Sequence, residues 1–360
     1  MYKYAAVWRG RQQRGKVDMT GRNRKRVVYI PCRKGGRTVN SNKYVSNMIG
    51  ILEEDYHVTG ELAALPDLLS MLGTKAVFLN WVENGGLDTG MKSKLMAHKL
   101  FGAKIIWVFH NKYPHDVIPN KANTRDMDWL ARHSNVIMLH SKSSRAYIPN
   151  PSKNGKKAVY VPHILYDPHG KKTDTKMLKA EYGIGERDFV YTIFGRIRPY
   201  KNIESGIEAF KKMNAANAKL LIAGAPANVR YARKIKGLCE GNSDIILDLQ
   251  YFPDARLDSL IDISDVILLT HTDKSSMNSG VMIQSFSRGK TVIAPDICMA
   301  RDLKKYKFFY MYESFPDKAM MKAYTNGKEI NKRMGEMARI HMCKNNSREI
   351  VKKSIGKILK

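Results

Sequence analysis

Two short stretches of this chain carry the residue types and the order that can grip an anion. In the first, FVYTIFGRIRPYK (189–201), an apolar, β-branched run ends in Gly195 and is followed by Arg196 and then Lys201. A strand that delivers a glycine and two cations at its end leaves room for close approach and supplies charge to meet a phosphate. The second, 276–296, runs from a Ser/Asn turn through Ser279, Gly280 and Val281 into a short helical pattern, then Gly289 and the apolar run TVIAPD. A helix opening at Ser279 leaves its first backbone N–H groups unpaired and places the positive end of its dipole there. Together the two stretches suit a diphosphate. The competing reading of Arg196 and Lys201 is an exposed basic loop, and Ser279 is equally an ordinary helix N-cap.

Other residues with chemical potential are weaker. His110 follows the run IIWVF and precedes Asn111. That puts both at a strand's carboxyl end, where open α/β sheets bind ligands, although a lone histidine is often only a structural donor. Asp296 closes TVIAP and serves either a ligand or the cap of the next helix. The pair His115-Asp116 reads as loop structure or as part of the site. Gly35 and Gly36 lie in a polar loop after the first strand, where a plain turn is the alternative. Asp126-Met127-Asp128 mimics a metal-binding pair but sits beside Trp129 and Leu130 in a helical pattern, so a solvated helix start is expected and no metal site.

These residues need elements to hold them. Strand patterns fall at 27–31, 76–81, 104–110, 135–140 and 158–163, and again at 189–194, 219–223, 244–249, 265–271 and 291–295. Helical patterns lie between them, at 42–54, 92–101, 125–134, 203–213, 229–239, 255–263 and 280–287. Alternation of this length means βαβ units and parallel sheets. The segment 165–176, rich in Pro, Gly, Asp and Lys, reads as a linker. The expected fold is therefore α/β, with two Rossmann-like doubly wound domains facing a cleft and helices at the C-terminus. The divisions are a basic extension (1–26), a first domain (27–165), a linker (166–176), a second domain (177–318) and terminal helices (319–360) with breaks near 326–327 and 345–347.

Composition narrows the partners. The 360 residues carry a net charge of +29, and residues 1–26 hold nine Lys/Arg against one Asp. Such a surplus favours polyanions, either nucleic acid or an anionic membrane leaflet. No zinc spacing, helix-turn-helix signature or RNA-binding aromatic motif supports nucleic acid. The longest apolar runs fall far short of the roughly twenty residues that cross a bilayer, and the first residues lack a signal-peptide core. A cytoplasmic protein is expected, peripheral on the inner membrane face. Cys32, Cys239, Cys298 and Cys343 have no metal-ligand spacing and are expected to be reduced thiols. The terminal SREIVKKSIGKILK is an amphipathic basic helix that either packs on the first domain or lies on a membrane.

The segments FGRIRPYKNIESGIEAF (194–210) and SGVMIQSFSRGKTVIAPD (279–296) resemble glycosyltransferases of the GT-B architecture, specifically the retaining family 4 group and bacterial exopolysaccharide and capsule enzymes. NSNKYVSNMIGILEEDYHV (40–58) and IIWVFHNKYPHD (105–116) add weaker matches, so the resemblance spans 27–301. It implies a nucleoside-diphosphate sugar donor of UDP or GDP type, no bound cofactor and no metal. It also implies a glycan or undecaprenyl-linked acceptor in surface polysaccharide biosynthesis. By the same resemblance Arg196 and Lys201 neutralise the leaving diphosphate, and Gly195 with the Ser279, Gly280 and Val281 amides cradles it. Gln284 touches ribose, His110 orients sugar or acceptor, and Asp296 contacts nucleotide or sugar. Gly35, Gly36 and Asn111 fall on the acceptor side. Many members carry two glutamates where this chain has Ser276 and Gln284. That departure leaves the donor sugar open. A basic nucleic-acid-binding protein and a degenerate GT-B scaffold are the alternatives.

Overall fold

Strands buried on both faces read as unbroken apolar runs rather than alternating ones, and FVYTIF is such a run, with all six residues buried. The computed structural model describes residues 25–31, 42–63, 71–82, 87–113, 121–166, 174–271 and 276–360. Within them two sheets form, each six-stranded, with every recorded strand pair parallel.

The first sheet contains β1 (Arg26–Pro31), β2 (His57–Thr59), β3 (Thr74–Asn80), β4 (Lys104–Val108), β5 (Val136–Leu139) and β6 (Ala158–Tyr160), in the order β2-β1-β3-β4-β5-β6. Its helices are α1 (Lys43–Glu53), α2 (Thr89–Leu100), α3 (Lys121–His133) and the short α4 (Pro151–Asn154). Side-chain caps start several of them: Asn42 accepts from the Tyr44 and Val45 amides, and Asp88 from Met91.

After α5 (Thr175–Glu181) the second sheet is built from β7 (Phe189–Phe194), β8 (Ala218–Ala223), β9 (Ile245–Asp248), β10 (Val266–Leu268), β11 (Thr291–Pro295) and β12 (Tyr310–Tyr312), in the order β12-β11-β10-β7-β8-β9. Its helices are α6 (Ile203–Met213), α7 (Val229–Cys239), α8 (Asp254–Ile263), α9 (Gly280–Ser287) and α10 (Cys298–Leu303). The fold class is the expected one.

Differences from the pattern reading have local causes. The edge strands β2 and β12 are three residues each, too short to show a period. The stretch read as a linker is structured at both described ends. Tyr166 is buried, and Asp174 caps α5 through the Lys176 and Met177 amides.

Two helices close the chain. In α11 (Asp317–Asn346) Gly327 adopts φ 72°, where only glycine turns without strain, and the helix kinks there. Ser347 ends it and caps α12 (Arg348–Leu359). The apolar side of α12 (Val351, Ile355, Ile358, Leu359) is buried in a cluster shared with α1, β1, β3 and β4 of the first half and with α9 and β11 of the second. Polar ties accompany it: Lys104 Nζ donates to the Ile358 carbonyl at 3.0 Å, and Arg348 and Lys352 both bind the Glu54 carboxylate. The lysine ties are partly exposed and add little; the apolar face carries the attachment. Truncating Ile355 to alanine is expected to lower unfolding stability by about 2–5 kcal/mol. Lys353→Ala should stay within about 0.5 kcal/mol, as read from urea denaturation midpoints.

Candidate active site

The carboxyl ends of both sheets face one cavity of about 650 Å³. At the end of β7 the chain turns at Gly195 with φ 90°. A side chain there would bring a Cβ within 3.3 Å of the Lys201 ammonium. Beside it, a Cβ on Gly224 would lie 1.9 Å from the Gly195 carbonyl oxygen, so β7 and β8 meet here without side chains. The loop then places Arg196, exposed, and Arg198 and Lys201, both half-buried, on the cavity wall. The Lys201 ammonium donates to the Phe194 carbonyl at 3.2 Å, and its own carbonyl accepts from Thr270 Oγ1 at 2.6 Å. Burial, reinforced by Arg198, pushes this ammonium down to about 8. Among the described residues that line the cavity there is no aspartate or glutamate. The described lining residues therefore carry positive charge only.

Opposite the loop, α9 opens into the same cavity. Ser279 Oγ accepts from the Met282 amide at 3.2 Å, which leaves the Gly280 and Val281 amides for a ligand. Ser276, Ser279, Gly280, Val281 and Gln284 all line the cavity. The segment before α9 is tied to the first half. Ser276 forms a backbone bridge with Asn111, and the Asn278 amide reaches the His110 carbonyl at 3.5 Å. Arg196, Lys201, Gly195, His110, Asn111 and the start of α9 are therefore gathered in one place.

His110 sits in an aromatic box. Trp81 stacks on it with centroids 4.6 Å apart and planes at 13°, and Tyr44 approaches edge-on at 4.9 Å. Its Nε2 lies 3.0 Å from Asn80 Oδ1, and the Asn80 amide nitrogen donates to the Ile30 carbonyl. The Asn80 oxygen is thus an acceptor, so His110 Nε2 carries the proton and Nδ1 is left as an acceptor. His140 receives the Tyr44 hydroxyl on Nε2 at 2.7 Å and gives its Nδ1 proton to the Val161 carbonyl. Burial holds His110 well below the usual imidazole range, with His140 and His163 contributing. Burial and His163 push His140 down to about 3, and burial pushes His163 down to about 4. All three are neutral at physiological pH.

Not every expected residue belongs to this site. Asp296 does not line the cavity; its carboxylate is held by Arg301, with Nε and Nη2 at 2.8 and 3.0 Å. It does not cap α10 either, where Ile297 is the cap residue. Asp126 lies in the middle of α3 rather than at a helix start, and binds Lys92 at 2.8 Å. Gly35, Gly36, His115 and Asp116 fall outside the described residues. Cys239, Cys298 and Cys343 are free thiols. Pattern reading missed Tyr44, Trp81, His163, Tyr166 and Asn278, all on the cavity wall. Tyr44 counted only as part of the apolar stripe of α1, and the others lie at strand ends or in loops, where periodicity carries no signal.

The architecture is the GT-B fold. HepE of Anabaena in complex with UDP superposes with a TM-score of 0.71 at 12% identity, covering 93% of this chain and 99% of that one. A glycosyltransferase of Rickettsia africae gives 0.69 at 16% identity, covering 94% and 98%. Residues 174–339 match the family described as glycosyl transferases group 1. A GDP-mannose:glycolipid 4-beta-D-mannosyltransferase of Xanthomonas campestris pv. campestris is 22% identical over 201 residues, 56% of this chain and 52% of that protein. The chain spans about half the length of the curated relatives it matches.

The histidine cluster sets an acid limit. An unfolded imidazole takes up its proton near pH 6.5, whereas the folded values lie lower. Stability is present above about 6.5 and is lost as pH falls through that value toward the lowered folded values. Denaturant midpoints should therefore fall steeply between about pH 6.5 and 4.5, and His163→Gln should flatten the fall. A profile unchanged by that substitution would show that His163 titrates normally.

Proposed function

We propose that this chain is a retaining glycosyltransferase that moves a sugar from a nucleoside-diphosphate sugar to a glycan or lipid-linked glycan. The observation that carries it is the cavity itself. Three cations and an open helix N-terminus converge there, with no carboxylate among the described lining residues. A glycosyl transfer needs this arrangement because the departing nucleoside diphosphate gains negative charge as the glycosidic bond breaks, and preorganised donors stabilise it most. Lys201 and Arg196 meet that charge, and the Gly280 and Val281 amides bind the phosphates. Gly195 lets the backbone approach them. His110, neutral and with Nδ1 accepting, orients a hydroxyl of the sugar or acceptor, with Asn111 beside it.

The acceptor is a glycolipid presented at an anionic membrane surface, and surface polysaccharide assembly is the role. The Xanthomonas relative, named for a glycolipid acceptor, supports this, as does the net charge of +29. No described helix is long and apolar enough to cross a membrane, so any contact through these residues is peripheral. Lysines and arginines near such a surface contribute on the order of 1 kcal/mol each.

Thermal shift with UDP, GDP, ADP and CDP tests the site, because a ligand of the folded state alone must raise the melting temperature. Arg196→Ala and Lys201→Ala are each expected to lower transfer on the order of 10²–10³-fold while the apo melting temperature holds. Transfer that survives both substitutions would overturn the proposal. The Lys201 ammonium is charged below about 8. Affinity for the diphosphate should therefore hold below that pH and fall above it, by at most about tenfold per unit. Lys201→Arg should shift the falling limb upward, as read by calorimetric titration of UDP or GDP.

A further inference from the structure

Gln284 stands on α9 inside the cavity wall, and only 8% of it is exposed. Its amide nitrogen donates to Asp258 Oδ1 at 2.7 Å. A carboxylate only accepts, so this contact fixes which way the amide faces: NH₂ toward Asp258 and Oε1 away from it. Asp258, on α8, is only 3% exposed and does not itself line the cavity. It is held from both sides of the cleft. Lys43 of α1 in the first half lies 3.4 Å from the same Oδ1, and Arg288, the residue that ends α9, lies 3.8 Å from Oδ2. Arg288 is in turn paired with Asp262 through two nitrogens, and Lys43 also approaches Asp254 at 3.9 Å.

We propose that Asp258 is a positioning residue that locks the Gln284 amide so that only its carbonyl oxygen is offered to the nucleotide. The oxygen Oε1 takes no hydrogen bond from any described residue. A free glutamine offers either a donor or an acceptor. Locked in this way it behaves as a glutamate does, accepting from hydroxyls, but without a second negative charge beside Asp258. The ligand group it suits is a vicinal diol, such as the ribose of a nucleoside diphosphate. A glutamate at 284 would put two carboxylates in hydrogen-bond contact, and one of them would have to take up a proton. Asp258 thus accounts for glutamine at this position. The inference rests on the donor-site reading above.

The test is a swap of the two groups, read by calorimetric affinity for UDP and GDP, with inorganic pyrophosphate as the ligand that lacks the diol. Asp258→Asn frees the amide, and nucleotide affinity should fall about tenfold while pyrophosphate affinity is unchanged. Gln284→Met, which keeps the shape and removes the acceptor, should lose as much. Gln284→Glu should weaken binding near pH 8 and recover as pH falls toward about 6. The charged groups facing it are Lys43, Asp254, Asp258, Asp262 and Arg288, and its proton uptake is driven by Asp258. The double variant D258N/Q284E restores one donor facing one acceptor, and should return nucleotide affinity to within about threefold of the parent. A double variant no tighter than its single variants overturns the role of Asp258, as a merely structural aspartate would not be rescued. Should Asp258→Asn not fold, Gln284→Glu binding as tightly as the parent at pH 8 overturns it equally. A parent chain that binds neither nucleotide nor pyrophosphate overturns the donor-site reading, and this inference with it.

Discussion

A half-buried ammonium with no carboxylate beside it among the described residues is an unfavourable thing for a fold to hold, and this fold holds one at the centre of its cleft. Lys201 takes the Phe194 carbonyl and has Arg198 as a like-charged neighbour. Removal from water costs free energy that a neutral carbonyl only partly offsets. An anion entering the cavity would offset the rest. Around Lys201, Gly195 and Gly224 leave space, and α9 points its free amides at the same volume. The tension is local and is carried by the close packing of β7, β8 and β10 beneath it.

The opposite wall is neutral by the same physics. Burial keeps His110, His140 and His163 uncharged, and fixed hydrogen bonds through Asn80, Tyr44 and Val161 decide which nitrogen of the His110 and His140 rings holds the proton. A cleft with a cationic wall and a neutral, hydrogen-bonding wall separates two tasks. In the proposed reading one side meets phosphate charge, and the other meets hydroxyl groups. That division requires the two halves to be registered against each other. The Asn111–Ser276 bridge, the Lys43–Asp258 pair and the apolar cluster that α12 completes all cross between them.

The strongest sequence signals were local ones. The run FVYTIF is β7 to the residue, TVIAP is β11, and α6, α7 and α9 also begin and end where their periodicity places them. The charged loop after β7 and the Ser-Gly opening of α9 could be singled out because each binds its own ends through neighbours in sequence. Asp296 was misread because the same strand-end position serves a cleft or a salt bridge, and the partner, Arg301, is chosen by how α10 turns back. Tyr44 and Trp81 were invisible as site residues because burial in a stripe or a loop looks alike from the chain.

The chain by itself thus determined the parallel α/β architecture and the order of cations, glycines and helix start. These follow from periods of two and 3.6 and from the chemistry of single residues. Only the tertiary structure decided which of them share a cavity, which way the Gln284 amide and the His110 ring face, and that Asp258 stands behind the site. Those outcomes depend on contacts between residues 26 to 215 positions apart, and such pairings are set by packing that no local pattern encodes.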